Sequence, residues 1–306
     1  MPDLSVQLGP VTLKNPVLTA SGTCGYGKEY APYFDLSLLG GFTTKSVTVH
    51  PRKGNQPQRV VETPGGMLNA IGLANVGLDE FLNVKAAEAA QLGTRVFVNV
   101  AGYQIDDYLK VCDAVDGLPG IDGVELNVSC PNVSDGLTFG TDAPLLKELV
   151  TAARQVVKNG ALIVKLSPNV TDITTTARAA IEGGADALSM VNTFVGMKID
   201  IRTRKSVLAN RTGGLSGPAI RPLAIQLVNR VYTQVARDAG VPIIGMGGIQ
   251  SWEDAIEFIL AGASAVSIGT ALFVNPDTPV RVVEGMTQYL DDAGVEKIGD
   301  LVGAAQ

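Results

Sequence analysis

Eight short and almost continuously apolar segments recur along the chain, and each is followed by a longer segment with apolar residues at helical spacing. The eight segments are residues 16–22, 41–47, 95–102, 123–130, 162–168, 187–193, 242–249 and 265–273. Unbroken apolar runs, as opposed to runs that alternate with polar residues, are typical of parallel strands buried on both faces. The pattern therefore predicts eight parallel strands that alternate with helices.

The segments between the strands carry helix signals. Residues 251–262 begin with Ser251, a suitable cap, carry Asp254 three residues later and end at Gly262. Residues 171–183 repeat this scheme. Alternation of strand and helix eight times predicts an α/β fold, a (β/α)8 TIM barrel forming one domain over residues 1–306. An open doubly wound sheet gives the same local pattern, but the strand count and the chain length favour the barrel.

Three segments exceed the repeating unit. Residues 4–13, with Gly9-Pro10 at their centre, predict an N-terminal β-hairpin that closes the barrel floor. Residues 48–75 and 194–217 follow the second and sixth strands. Since they leave the carboxyl ends of strands, we expect them to be inserts at the C-terminal face, where the active sites of barrels are assembled.

The amino-acid composition limits the kinds of binding partner and cellular compartment that we expect. The 24 basic and 30 acidic residues give a net charge of -6, which argues against a nucleic-acid or anionic membrane surface. Neither a leader peptide nor an apolar run of about 18 residues is visible, so we expect a cytoplasmic protein. The three cysteines, Cys24, Cys112 and Cys130, form no CxxC pair, so we expect no metal site and a reducing compartment.

Several polar residues lie in or at the ends of the apolar strands. They are Lys45 in the second strand, Asn99 in the third, Asn127 and Cys130 in the fourth, Lys165 in the fifth, and Asn192 with Thr193 in the sixth. A buried polar group without a partner costs a few kcal/mol, roughly 2 or more. Any one of these residues could be a satisfied core amide or a lysine that reaches solvent. Their common position at strand ends indicates a functional site instead.

Glycines mark the last two strands. Gly245-Met246-Gly247-Gly248 ends the seventh strand and precedes the helix at 251–262, and Gly269-Thr270 ends the eighth. Glycines let a phosphate approach backbone N–H groups, and the terminus of a following helix adds its dipole. Glycines can also merely tighten such turns, but this position in a barrel favours phosphate binding.

The fourth strand leads into a segment that could carry chemistry. Asn127-Val128-Ser129-Cys130-Pro131-Asn132 is followed by small and polar residues 133–141, which are typical of a lid. Cys130 could be a small buried apolar residue, or a base or nucleophile tuned by nearby cations and amides. The single histidine, His50, is expected in a loop, so a Cys-His or Ser-His dyad has little support.

Several strings, taken together and in order, resemble the class 1 dihydroorotate dehydrogenases over nearly the whole chain. They are Thr44-Lys45-Ser46, Asn69-Ala70-Ile71-Gly72-Leu73-Ala74-Asn75, Asn127-Val128-Ser129-Cys130-Pro131-Asn132, Asn192-Thr193, Gly213-Gly214-Leu215-Ser216-Gly217-Pro218 and the two glycine turns. Gly196-Met197-Lys198-Ile199-Asp200-Ile201 and Leu208-Ala209-Asn210-Arg211-Thr212-Gly213-Gly214 look most like the B subclass. Cys24 and Phe194 depart from the pattern that we expect, although neither has a proposed catalytic role.

The resemblance implies an oxidation of (S)-dihydroorotate to orotate in pyrimidine biosynthesis, with Cys130 as base, Lys45 as a second catalytic residue and one FMN per chain as hydride acceptor. It assigns FMN contacts to Ser21, Lys45, Ser46, Asn99, Asn127, Lys165, Val191, Gly217, Gly247, Gly248, Gly269 and Thr270. It assigns substrate contacts to Lys45, Asn69, Ala70, Ile71, Gly72, Leu73, Asn127, Asn192 and Thr193. Lys165 would stabilise the negative charge of the reduced flavin.

The B-subclass resemblance also implies partners. It predicts a homodimer joined by a second subunit that carries FAD and a [2Fe–2S] cluster and passes electrons to NAD, in a heterotetramer.

Three other interpretations stay open at this stage. One is a fumarate-linked class 1A enzyme or a related dihydropyrimidine-oxidising flavoprotein. Another is a phosphosugar aldolase or isomerase barrel, in which Lys165 would form a Schiff base. The last is a barrel that binds flavin or a pyrimidine without catalysis.

Overall fold

Eight parallel strands close into a barrel in the computed structural model, which describes residues 2–129 and 139–305. Around the barrel the strands lie in the order Val17–Thr19, Gly41–Thr43, Arg95–Val100, Gly123–Asn127, Ala161–Lys165, Ala187–Met190, Ile243–Met246 and Ala265–Ile268, and the last pairs with the first to close it. The predicted (β/α)8 barrel is confirmed. The strands are β1 (Val6–Leu8), β2 (Val11–Leu13), β3 (Val17–Thr19), β4 (Gly41–Thr43), β5 (Val60–Thr63), β6 (Gly66–Asn69), β7 (Arg95–Val100), β8 (Gly123–Asn127), β9 (Ala161–Lys165), β10 (Ala187–Met190), β11 (Phe194–Gly196), β12 (Ile199–Asp200), β13 (Lys205–Ser206), β14 (Gly213–Ser216), β15 (Ile243–Met246) and β16 (Ala265–Ile268).

Helices surround the barrel. They are α1 (Leu78–Glu80), α2 (Ala86–Ala89), α3 (Ile105–Val115), α4 (Ala143–Val156), α5 (Ile173–Glu182), α6 (Arg221–Val231), α7 (Arg237–Ala239), α8 (Trp252–Ala261) and α9 (Thr278–Ala293). π-Helical turns join α1 to α2 and α6 to α7. The helix predicted at 251–262 is α8, with a capping box between Ser251 and Asp254 and with Gly262 as its left-handed C-cap.

The observed strands are shorter than the apolar runs that predicted them. β4 ends at Thr43, although Thr44, Ser46 and Val47 beyond it are also buried. Burial at the barrel rim continues past the last ladder hydrogen bond, so hydrophobicity alone overestimates strand length. The polar residue Lys45 therefore lies just beyond β4 and not within it.

The predicted N-terminal hairpin is present. β1 pairs with β2 in antiparallel fashion, and its apolar residues Val6, Leu8, Val11 and Leu13 face the core. Gly9 turns the chain at φ +55, and a side chain there would lie 2.5 Å from the Cβ of Asp186, just before β10. The hairpin therefore covers the amino-terminal end of the barrel, as predicted.

The two long inserts join in one sheet. β5 and β6 come from the first insert and β11 and β14 from the second, and they pair in the order β11-β14-β6-β5. The sequence predicted where each insert leaves the barrel but not that the two would pair.

Aspartate side chains accept hydrogen bonds from backbone N–H groups near the amino-terminal ends of barrel strands. Asp122 accepts from the backbone N–H of Val96, and Asp186 accepts from that of Leu162. Asp116, at the end of α3, accepts from the backbone N–H groups of residues 158–160, at 2.8 to 3.2 Å. These bonds fix the floor of the barrel and leave its carboxyl rim for function.

Asp116→Asn should destabilise the fold in a pH-dependent way. Burial raises the pKa of Asp116, but the three backbone N–H groups outweigh it and hold that pKa below its ordinary value. A lowered folded-state pKa means that the stabilisation is complete above the ordinary pKa and is lost as the pH falls through the folded value. We expect the substitution to reduce the free energy of unfolding by about 2 kcal/mol at pH 7.

Urea denaturation between pH 3.5 and pH 7 measures this effect. The difference between the wild type and Asp116→Asn should be constant down to about pH 5 and shrink below about pH 4. Asp113→Asn, on the exposed face of the same helix, is the matched control and should change little. A difference that is independent of pH would show that the charge of Asp116 does not contribute.

Candidate active site at the carboxyl ends of the barrel strands

A cavity of about 650 Å³ opens at the carboxyl ends of the barrel strands. Its lining comes from the segments that follow β3, β4 and β10 and from the last residues of β8, β9, β15 and β16. A volume of this size suits a cofactor with a small substrate. The closure of the barrel therefore brings together strand ends that are far apart in the sequence.

Most of the predicted site residues line this cavity. They are Ser21, Lys45, Ser46, Asn69, Ile71, Gly72, Leu73, Asn127, Lys165, Val191, Asn192, Thr193, Gly217, Gly247, Gly248, Gly269 and Thr270. Asn99 and Ala70 do not line the cavity. Asn99 is wholly buried and accepts a hydrogen bond from Ser46, and Ala70 packs with Leu68 and Leu208. Cys130 lies outside the described residues.

The insert sheet forms one wall of the cavity. Val60, Glu62, Met67 and Asn69 contribute from β5 and β6, and Ser216 contributes from β14. The sequence had indicated Asn69 and its neighbours, but not β5. Nothing in the sequence pattern predicted that β5 would reach the cavity, because its position depends on pairing between the two inserts.

Lys45 places a partly desolvated cation in the cavity. Its backbone N–H donates to the carbonyl of Gly25 at 2.8 Å, which fixes the chain just after β4. Burial, followed by the nearby guanidinium of Arg59, lowers the pKa of the Lys45 ammonium, and Glu29 partly offsets this. A partly desolvated ammonium at the cavity wall attracts an anion, because an anionic ligand offsets the cost of burying the positive charge.

Amide side chains form a second polar group in the cavity. Asn192 Nδ2 donates to Asn127 Oδ1 at 3.2 Å, and the backbone N–H of Thr193 donates to Asn192 Oδ1 at 2.8 Å. Asn69 Nδ2 donates to the carbonyl of Gly214 at 3.3 Å. These bonds orient the amides, which offer both donors and acceptors to a ligand with carbonyl and N–H groups.

Two residues that the sequence analysis did not single out support this amide group. Asn169 Nδ2 donates to the carbonyl of Thr193 at 3.0 Å, and Asn169 Oδ1 accepts from the backbone N–H of Val195. Tyr108 donates from its hydroxyl to the carbonyl of Asn127 at 2.9 Å. Both residues lie outside the apolar strands, where a polar residue is ordinary, so neither could be identified from the sequence pattern.

Beneath the cavity lies a buried carboxylate, Glu125 in β8. Its Oε1 accepts from Asn99 Nδ2 and its Oε2 from Ser189 Oγ, both at 2.6 Å, and Lys165 Nζ lies 3.8 Å from Oε1. All four residues are at most 5% exposed. The sequence analysis missed Glu125 and Ser189. A charged residue inside the apolar run 123–130 was a signal that could have identified the carboxylate.

Glycines at the ends of β15 and β16 form another part of the cavity wall. Gly247 and Gly248 follow β15 with φ of +130 and +81, a region that favours glycine. A Cβ on Gly248 would lie 2.8 Å from the carbonyl oxygen of Gly217. Nearby, Thr270 donates from its hydroxyl to Ser216 at 2.8 Å. The backbone is therefore exposed to the cavity without side chains, as a phosphate-binding turn requires.

The remaining sequence expectations concern residues away from this chemistry. Cys24 is wholly buried, and burial, with a contribution from Glu29, raises the pKa of its thiol to about 12, as suits a core side chain. His50 is exposed in a loop, as predicted.

Across residues 2–129 and 139–305, we find no cluster of three or more His, Cys, Asp or Glu side chains that could hold a metal ion. None of the described helices is both long and apolar enough to cross a membrane.

Comparison with known proteins agrees with this geometry. A family profile described as "Dihydroorotate dehydrogenase" matches residues 3–290. A protein of Pelobacter propionicus is 50% identical over 306 residues, which are 100% of this chain and 99% of the relative. A protein of Bacteroides thetaiotaomicron is 46% identical over 307 residues, with all of both chains covered. Both relatives are named dihydroorotate dehydrogenase B (NAD(+)), catalytic subunit.

The profile match and these full-length similarities agree with the barrel and with the strings that suggested the resemblance. The chain therefore belongs to the dihydroorotate dehydrogenase family.

Proposed function

We propose that the chain oxidises dihydroorotate to orotate in pyrimidine biosynthesis, as the catalytic subunit of an FMN-containing and NAD-linked dihydroorotate dehydrogenase. The observation that carries this proposal is the composition of the cavity. One cavity of about 650 Å³ is lined by two lysines, an oriented group of amides and a side-chain-free glycine turn. This combination suits an anionic pyrimidine ring next to a phosphate-bearing cofactor.

The residues present fit FMN. The turn at Gly247-Gly248 leaves backbone N–H groups accessible to a phosphate, and a Cβ at either glycine would come within 3.0 Å of a neighbour. Lys165 supplies a buried cation at the cavity wall, and Ser21, Ser46 and Val191 complete that side. When bound, FMN would accept the hydride that dihydroorotate loses. Lys165 would then stabilise the added negative charge.

The substrate has a carboxylate, two carbonyls and two N–H groups. Lys45 would bind the carboxylate, since its ammonium is partly desolvated beside Arg59. Asn69, Asn127 and Asn192 would bind the carbonyl and N–H groups of the ring, with Thr193 and the backbone of residues 71–73. A ligand without these groups would leave the amides unpaired, which gives the site its selectivity.

Cys130 is the proposed base. In the sequence it directly follows Ser129, the last described residue before the gap, and Ser129 lines the cavity. The thiolate would take the proton from the substrate carbon next to a carbonyl while the neighbouring carbon loses hydride.

The proposed electron route needs a partner. The relatives' name, catalytic subunit of an NAD(+) enzyme, supports a second subunit. In this proposal the second subunit carries FAD and a [2Fe–2S] cluster and joins a homodimer of this chain.

Anaerobic addition of dihydroorotate to the purified chain tests the proposed function. We expect a yellow protein whose flavin absorbance bleaches in a 1:1 reaction, and no reduction of NAD until the partner subunit is added. Reoxidation by fumarate would instead assign the class 1A activity. A colourless protein that cleaves a sugar phosphate would replace the proposal with the aldolase interpretation.

Gly248→Ala should weaken FMN binding, because its Cβ would lie 2.8 Å from both the Gly217 carbonyl oxygen and the Arg221 Cβ, at φ +81. We expect at least a tenfold higher dissociation constant, about 1.4 kcal/mol, measured by fluorescence titration of apoprotein with FMN. Gly240→Ala is the matched control, since Gly240 also has positive φ but has open space around it and ends α7. Equal FMN affinity in the two variants would remove Gly248 from the phosphate site.

The variant Cys130→Ala should retain FMN, but dihydroorotate should reduce that FMN much more slowly than in the wild type. Removal of a general base slows proton abstraction by about 10² to 10⁴-fold. Stopped-flow absorbance at saturating dihydroorotate measures the rate, and Cys24→Ala, at a buried thiol with no proposed role, is the control. Near-normal reduction by Cys130→Ala would exclude the thiol as base.

A further inference from the structure

A buried carboxylate adjoins the cavity and has no part in the mechanism above. The Glu125 side chain is 3% exposed and that of Lys165 is 7% exposed, and both lie inside the barrel on neighbouring strands, β8 and β9. A charge in such surroundings is strongly destabilising unless it is paired and hydrogen-bonded. The presence of Glu125 therefore calls for a function that offsets this cost.

The hydrogen bonds of Glu125 suit a carboxylate anion. Asn99 Nδ2 and Ser189 Oγ each donate to a different carboxylate oxygen at 2.6 Å, so both oxygens have a donor. An amide N–H₂ can only donate, so Oε1 must accept. These two bonds hold the carboxylate in one orientation between β7 and β10.

The pair with Lys165 is close but not hydrogen-bonded. The distance of 3.8 Å between Lys165 Nζ and Glu125 Oε1 exceeds the range of a hydrogen bond, although the charges still attract strongly in a buried setting. Glu125 can thus balance the charge of Lys165 without accepting a hydrogen bond from the lysine's N–H groups. Those groups stay available to a ligand in the cavity that Lys165 lines.

The network reaches the cavity at a second point. Ser46 donates to Asn99 Oδ1, Asn99 donates to Glu125, and Ser46 itself lines the cavity. Asn99 is wholly buried, so its place is to connect these groups and not to touch a ligand directly. One carboxylate therefore lies beside Lys165 and is linked to Ser46 through Asn99, and both Lys165 and Ser46 line the cavity.

We propose that Glu125 is a positioning residue that fixes Lys165 and, through Asn99, Ser46, and that its negative charge sets the reduction potential of the bound flavin. This inference rests on the proposed function. Glu125 offsets part of the lysine's positive charge, so it keeps the reduced flavin from being held too tightly to pass its electrons on. Without that carboxylate, the lysine would stabilise the reduced form more strongly.

Glu125→Gln tests the charge with little change of shape. The amide oxygen can accept from Asn99, and the Ser189 hydroxyl can turn to accept from the new N–H₂ group, because a hydroxyl both donates and accepts. We expect the equilibrium ratio of reduced to oxidised flavin at a fixed potential to rise at least tenfold, which is about 30 mV for a two-electron couple. Anaerobic titration against redox dyes measures this midpoint potential.

Two variants separate charge from structure. Ser189→Ala removes one hydrogen bond to Glu125 but keeps the charge, so its midpoint potential should stay near that of the wild type. Glu182→Gln removes the same charge from an exposed ion pair with Lys147 and should have no effect. A Glu125→Gln potential equal to that of the wild type, or an equal shift in Ser189→Ala, would overturn the proposal.

Thermal unfolding of the apoproteins tests the pair independently of the flavin. Lys165→Met alone leaves Glu125 buried without its counter-charge, and the double variant Lys165→Met/Glu125→Gln removes both charges. We expect the double variant to melt at a higher temperature than Lys165→Met. A double variant that is no more stable than Lys165→Met would also overturn the proposal, even if Glu125→Gln alone fails to fold.

The experiment distinguishes this inference from the proposed function. A wild-type protein that binds no flavin, or whose flavin dihydroorotate does not reduce, would refute the proposed function and with it the inference. A wild type that behaves as proposed, combined with an unchanged potential in Glu125→Gln, would refute the inference alone.

Discussion

The pairing of opposite charges inside a barrel core is the constraint on which this site depends. A lysine in the interior is unstable unless a negative charge lies close to it, and β8 supplies that charge through Glu125, whose carboxylate accepts a hydrogen bond from Asn99. Most other side chains of the surrounding strands are apolar, and residues such as Val98, Leu126 and Val164 are fully buried. A dry and rigid setting strengthens the field of Lys165 at the cavity wall, where it would matter for chemistry.

The barrel and the inserts contribute differently to the site. Closure of the barrel places the ends of eight strands around one opening, and this supplies the cations and the glycine turns. The insert sheet then adds Asn69 and a wall from β5, while β14 pairs with β6 to hold the inserts together. Separating a rigid floor from a rim that binds ligands is a general feature of this fold.

Much of this arrangement could be predicted from the sequence, for identifiable physical reasons. Doubly buried parallel strands need unbroken apolar runs, so the eight strands were visible, and Ser251, Asp254 and Gly262 marked α8. Polar residues at strand ends indicated part of the cavity wall, including Lys45, Asn127 and Lys165. The sequence did not indicate that the inserts pair, since cross-strand pairing between distant segments leaves no local pattern.

Other features of the site depend on tertiary contacts, and most of them could not be predicted from the sequence. Asn99 was expected at the cofactor, but the structure places it behind Ser46, because a residue's depth in the barrel depends on strand stagger and not on its type. Glu125 could have been noticed as a charge in an apolar run, whereas Ser189 could not, since a buried serine in a strand is ordinary. Asn169 and Tyr108 act on backbone carbonyls, and such contacts are set by loop geometry.

A crystal structure of the protein with FMN and orotate bound tests the central claim most directly. The account predicts the FMN phosphate on the backbone of Gly247-Gly248, Lys165 Nζ within about 3.2 Å of the flavin N1/O2 edge and still close to Glu125, and the pyrimidine on Asn69, Asn127 and Asn192. A flavin bound elsewhere, or a Lys165 side chain turned away from it, would contradict the account.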